Sequence, residues 1–405
     1  PHNLSVLTAL QHTLGLAIAA MLYALLVRLT VPRWVAVLAS LPVLLDGYQL
    51  QLEHLVMSDV LYAFLTTAGV VALLWNERPS GRRAAGAGVL LGVAAVTRSI
   101  GLPVAAALLV VLVLRRVGLR EVAAAGLACF LPVAAYGAWF HAEQGRWALT
   151  NSNGIFLYSR VMAFADCSSL ELIPAERALC DPRPPQERPE SSRYIWSASL
   201  PLGRLPGFTF TPEKDRLAQG FAVKAIRSQP LDYARQVARE LSYNFSTSRV
   251  LMPVADIGKY EFVSDASKVV PGYARQRGLR TVQAYDQSVS SLDTASDPRL
   301  TRFLDRYQDV VRVPGPALVV LVVLALAAVV PVRPRTIRGP ALALSAAAGA
   351  LLVVPPMTAQ FDHRYVLAAV PLLAAAAGLS ATGIARAAGG GGRHSWGDGE
   401  QGLSA

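Results

Sequence analysis

The sequence predicts an all-α, polytopic membrane protein. Hydrophobic residues fill 53% of its 405 positions and charged ones only 16%, the mean hydropathy is +0.39, and the apolar residues gather in long runs rather than alternating. Nine such runs, at 4–27, 34–49, 56–75, 84–97, 100–114, 121–140, 314–332, 338–356 and 365–384, read as transmembrane helices, because about 20 helical residues cross about 30 Å of hydrocarbon. The two shortest flank Thr97-Arg98-Ser99 and read as a hairpin.

Four parts follow from this pattern: N-terminal membrane helices over 1–140, a long connecting segment over 141–312, C-terminal membrane helices over 313–385, and a tail over 386–405. The Gly-rich stretch from Gly389 to Ala405 has the composition of a disordered segment.

A net charge of +11 would suit nucleic acid, but the arginines are placed otherwise. Thirteen fall in alternate short connections or the tail: Arg28, Arg33, Arg78, Arg82, Arg83, Arg115, Arg116, Arg120, Arg333, Arg335, Arg338, Arg386 and Arg393. The opposite short loops hold only Arg98 and Arg364. By the positive-inside rule the Arg-rich side is cytoplasmic, so the Glu53 loop, the Arg98 turn, the Phe361–Arg364 loop and segment 141–312 are expected to face outward, from the cell membrane. The charge is a topology signal first and a means of meeting anionic lipid second. This sidedness also puts Pro1 outside, which leads one to expect at least one helix and one loop upstream of it.

Cys129 lies in an apolar run and reads as a packing residue, whereas Cys167 and Cys180 share the outward segment. Outside the cytoplasm a disulfide between them is expected, worth ~3 kcal/mol in chain entropy. A metal site is the competing reading, without a CxxC or clustered histidines to support it. The same segment has a proline-rich loop at 181–192 and helical patterns at 212–227 and from Leu231 to Phe245, the latter started by Pro230. Another amphipathic stretch puts Leu300, Phe303, Leu304, Tyr307, Val310 and Val311 on one side and Arg299, Arg302, Arg306 and Asp309 mostly opposite. It either caps the bundle or lies on the membrane surface.

The candidate functional residues are the ionisable groups of the outward turns, since charge at a bilayer boundary is costly and usually used. Glu53 and His54 stand in a polar break, where solvation alone would also explain them. Asp59 enters the first turn of the next helix, where the dipole favours a carboxylate by ~0.3–1 kcal/mol. Arg98 could snorkel to headgroups or hold a ligand. Gln360-Phe361-Asp362-His363-Arg364-Tyr365 opens the last run and also fits an aromatic belt with a basic anchor. Together these turns would build a polar cleft for a substrate that is lipid at one end and anionic at the other.

Several stretches resemble the GT-C membrane glycosyltransferases that use a polyprenyl-phosphate sugar donor, the group with the protein O-mannosyltransferases and the aminoarabinose transferase of lipid A (glycosyltransferase family 39-like). They are Leu10-Gln11-His12-Thr13-Leu14-Gly15-Leu16, Glu53 with Ser58-Asp59-Val60-Leu61-Tyr62, Thr97-Arg98-Ser99-Ile100-Gly101-Leu102, and Arg364-Tyr365-Val366-Leu367-Ala368-Ala369-Val370-Pro371. The resemblance implies a GT-C-like bundle of about nine visible helices with a large, mainly helical extracytoplasmic insertion. It also implies that an outward loop bearing the main acidic base precedes Pro1, so that the chain as given would be inactive alone. The family usually has Glu where Asp59 stands.

On that resemblance Glu53 and Asp59 are the catalytic candidates, Arg98, Arg364 and Tyr365 the donor-phosphate ligands, and His54, Asp362 and His363 further candidates. A carboxylate would activate the acceptor, and arginine forks would take the charge of the departing lipid phosphate. The expected reaction is inverting transfer of a sugar, mannose foremost, from a polyprenyl-phosphate carrier to a lipid, glycan or protein acceptor. No cofactor is expected, with a divalent metal left open, and no nucleic-acid partner. A flippase or carrier of lipid-linked intermediates would want the same cleft but should show repeats or broken helices at the midplane. A non-catalytic scaffold would have no reason to gather the outward ionisable groups.

Overall fold

A computed structural model describes residues 4–247, 262, 272–291, 297–327 and 335–390. Among them every regular element is a helix. The longer helices are α1 (Leu4–Arg28), α2 (Arg33–Leu45), α3 (Gly47–His54), α4 (Asp59–Leu74), α5 (Gly81–Thr97), α6 (Gly101–Leu114) and α7 (Leu119–Gln144). In the connecting segment come α8 (Asn153–Val161), α9 (Pro212–Ser228), α10 (Pro230–Ser242), α11 (Gly272–Tyr285) and α12 (Pro298–Val310). The C-terminal part holds α13 (Gly315–Leu326), α14 (Arg335–Thr358) and α15 (His363–Gly390).

The polytopic all-α reading holds. Each of the nine apolar runs contains a helix, yet among the described residues only α1, α7, α14 and α15 are singly long and apolar enough to cross a membrane. The pairs α2–α3 and α12–α13, each bent by 48°, raise the number to six if each is one span. α4 and α6 are apolar but short. Asp59 is the first residue of α4, and Arg98, which caps α5, lies three residues before the start of α6.

Glu53 and His54 also depart from expectation: they belong to helix α3, not to a loop. Asp46 accounts for this. Its side chain accepts from the backbone N–H of Tyr48 and Gln49, restarting a helix after the bend. Its second oxygen accepts from Val313 N at 2.8 Å, while Val311 O accepts from Gly47 N. One carboxylate thus stitches the α2–α3 bend to the α12–α13 bend.

Small residues set the packing. α15 touches α1, α2, α4, α13 and α14, and its buried run Ala374 to Ala377 lets those neighbours approach closely. On α5, Gly88 and Gly92 lie against the backbone carbonyls of Ala125 and Cys129 on α7, where a Cβ would overlap. We therefore expect Gly92→Val to force the two helices apart at a cost of ~1–3 kcal/mol. Gly86→Val, where a side chain meets open space, should be near neutral. Thermal unfolding in detergent, followed by exposure of the buried Cys129 thiol, distinguishes the two. The outer faces of α7 and α13 expose Phe130, Leu131, Val319, Val320 and Val323, as a lipid-facing surface does.

At one end of the bundle Arg28 donates to Trp75 O and Asn76, Arg115 to Glu77 O, and Arg386 to Thr30. At the other end sits the connecting segment, with its own apolar core of Ile155, Tyr158, Leu202, Phe221 and Ala222. The Cys167 and Cys180 sulfurs are bonded there, with Cα atoms 6.1 Å apart. Next to that bond, hydrogen bonds from Arg183 hold the Asp181 carboxyl well below the usual carboxylate range, and Tyr194 Oη adds another at 2.6 Å. Helices start at Pro212, Pro230 and Pro298, each at the first helical position. α15 extends to Gly390, and the tail beyond it lies outside the described residues.

Candidate active site

Three turns and the connecting segment converge on one cavity of about 1720 Å³. Asp59 opens α4, Arg98 caps the end of α5, Asp362 precedes α15, and Arg364 and Tyr365 stand in its first turn; all five line the cavity. The opposite wall includes Asn153, Phe156, Arg193 and Trp196 from the connecting segment. Such a volume exceeds the ~300–1,000 Å³ of a pocket for one small ligand.

Arg98 organises the floor. Its guanidinium pairs with Asp59 Oδ1, donates to Tyr365 Oη at 3.1 Å and lies 5.0 Å from the Tyr365 ring centroid. Arg364 approaches the same ring at 5.6 Å and holds Asp362 Oδ2 at 2.8 Å. Two arginines thus share one aromatic ring, and each is balanced by a carboxylate. Asp59 is 6% exposed, and its Oδ2 has no hydrogen-bond partner among the described residues. A buried carboxylate oxygen without a donor is a ready acceptor for a substrate proton.

Glu53, His54 and His363 are not among the lining residues. Glu53 turns back into α1: it meets His12 Nδ1 at 2.6 Å, takes a bond from Gln49 Nε2 at 2.8 Å, and packs where Gly15 leaves no room for a Cβ. His12 and His54 meet edge to face at 4.8 Å, and Gln11 donates to Glu53 O and Leu55 O. This second cluster ties α1 to the α3–α4 turn. His363 packs against Tyr48 at 5.4 Å.

Sequence reading missed the pair that holds the Arg364 loop. Arg160 on α8 and Glu240 on α10 are both buried and joined by a salt bridge, and the other Glu240 oxygen accepts from Phe361 N. Ser192 N donates to Gln360 Oε1 at 2.8 Å beside it. The available signal was Arg160 itself, a lone cation within the apolar stretch Ile155–Met162. Glu240→Ala should cost ~3–5 kcal/mol by stranding Arg160, seen as a lower unfolding temperature and as faster proteolysis near 359–362. Glu240→Gln, which can still accept from Phe361 N, should lose less.

Residues 2–143 match the family model of the dolichyl-phosphate-mannose-protein mannosyltransferases. The chain matches no curated protein and no solved structure. The matched stretch supplies Asp59 and Arg98, whereas Asp362, Arg364 and Tyr365 lie beyond it. The match is thus to a membrane glycosyltransferase family of GT-C type, and the cavity joins that stretch to the C-terminal helices. Among the described residues no group of three or more His, Cys, Asp or Glu side chains is set to hold a metal ion.

Proposed function

We propose that this protein is a glycosyltransferase that moves a sugar, mannose foremost, from a polyprenyl-phosphate carrier to an acceptor on the extracytoplasmic side of the cell membrane. The single observation that carries the reading is the convergence of Asp59, Arg98, Arg364 and Tyr365 on one cavity at the end of the bundle opposite Arg28, Arg115 and Arg386. The family match over residues 2–143 supports the donor class.

In this reading the acceptor hydroxyl attacks the anomeric carbon and gives its proton to Asp59 Oδ2. The bond from that carbon to the phosphate oxygen breaks, and the electron pair leaves with the polyprenyl phosphate. Arg98 and Arg364 receive the growing negative charge, in place of part of their pairing with Asp59 and Asp362. Tyr365 keeps both guanidiniums in position through its ring, and Arg98 also through its hydroxyl. Glu53, turned away from the cavity, serves here to anchor α1 to the α3–α4 turn.

The test is sugar transfer in proteoliposomes, with the full-length protein, radiolabelled polyprenyl-phosphate mannose and extracytoplasmic acceptors. Label bonded to acceptor together with free polyprenyl phosphate supports the proposal. Label crossing the bilayer still attached to its lipid would instead identify a carrier, and neither outcome would leave only a scaffold. A scaffold gives no physical reason for the paired arginines of the cavity floor.

A further inference from the structure

The helix before the last three apolar runs, α12, is mounted inside out. Thr301 and Gln308 of α12 face the protein, where Gln308 donates to Gly47 O and Tyr307 Oη donates to Leu45 O at 2.7 Å. Leu300, Phe303 and Val310 point away and are 56%, 62% and 81% exposed. Apolar side chains turned outward in this number need an apolar medium against them.

Charge says which medium. Followed round the helix at about 100° per residue, the outer arc runs from Leu300, Tyr307, Phe303 and Val310 through Arg299, Arg306 and Arg302 to Asp309 and Asp305. That is the order of a membrane interface crossed sideways: acyl chains, phosphates, water. Arg299, Arg302 and Arg306 also enclose a small cleft with Phe303, of about 250 Å³, too small for an isoprenoid chain but open to a headgroup. A 48° bend then leads α12 into apolar α13, and Asp46 fixes that bend to the α2–α3 bend. The helix is thereby held at the membrane boundary.

We propose that the outer face of α12 docks onto anionic phospholipid headgroups of the leaflet beside the cavity, with Leu300, Phe303 and Val310 in the upper acyl region and Arg299, Arg302 and Arg306 on the phosphates. This surface is separate from the sugar-transfer site, and its test does not require activity.

The experiment uses the full chain in nanodiscs of phosphatidylcholine with phosphatidylglycerol. Spin labels are placed singly by Phe303→Cys and Asp305→Cys, and their collisions with oxygen and with a water-soluble nickel chelate are compared. Oxygen should dominate at 303 and nickel at 305. In parallel, enrichment of fluorescent phosphatidylglycerol around the protein should fall about fivefold per arginine lost at low salt in Arg299→Gln, Arg302→Gln and Arg306→Gln, alone and combined. Three results would overturn the proposal: equal nickel access at both positions; shielding of both labels from both reagents, as a covering protein would produce; or unchanged lipid enrichment in the triple variant.

Discussion

Arg364→Ala is expected to lower sugar transfer by about 10²–10³-fold, the usual cost of deleting one preorganised donor aimed at developing charge. The side chain is only partly buried and its partner Asp362 lies two residues away on the same turn, so the fold should persist; thermal unfolding of the variant checks this. Arg364→Lys should recover only a small part. A lysine supplies the charge but not the planar fork that meets two phosphate oxygens at once. If Arg364 merely anchored the helix to headgroups, lysine would do as well as arginine and transfer would be unaffected.

Asp59→Asn should cost about 10²–10⁴ in turnover, the range for a lost general base. Asparagine keeps the shape and can still accept from Arg98, so the cavity floor should stay in place. Donor affinity should change little while turnover collapses, which separates a proton-accepting role from a positioning one. Were Asp59 present only to orient Arg98, the same substitution would weaken donor binding and turnover together. Glu53→Gln supplies the contrast. Because Glu53 faces His12 and Gln49 rather than the cavity, its loss should appear in thermal stability, with turnover reduced far less than by Asp59→Asn.

The helices were legible in the sequence because their signals are local. Apolar runs, prolines at helix starts and a carboxylate in the first turn of α4 act over a few residues. α3 was not legible: Glu53 and His54 read as a polar break, whereas Asp46 restarts the helix by capping the chain on one side while bonding Val313 on the other. The close approach of α5 and α7 was written in the four-residue spacing of Gly88 and Gly92, a signal of the small-residue type that hydropathy overlooks.

For the site, residue types at the turns pointed to a polar cleft, but not to its partners. Asp59 with Arg98, and Arg98 with Tyr365, are contacts between residues far apart in the chain, and no spacing rule reaches that distance. The same holds for the Arg160–Glu240 pair, which binds the connecting segment to the loop before Arg364. Glu53 entered the catalytic set through the family resemblance. Helical geometry turned it instead toward Gly15.

The most direct test of the central claim, that Arg98 and Arg364 together receive a lipid phosphate in this cavity, is equilibrium binding of radiolabelled polyprenyl monophosphate to the purified full-length protein. The account predicts that Arg98→Ala and Arg364→Ala each weaken binding by about 10–100-fold, corresponding to ~1.4–2.7 kcal/mol, with both proteins still folded. Wild-type affinity in both variants would contradict it.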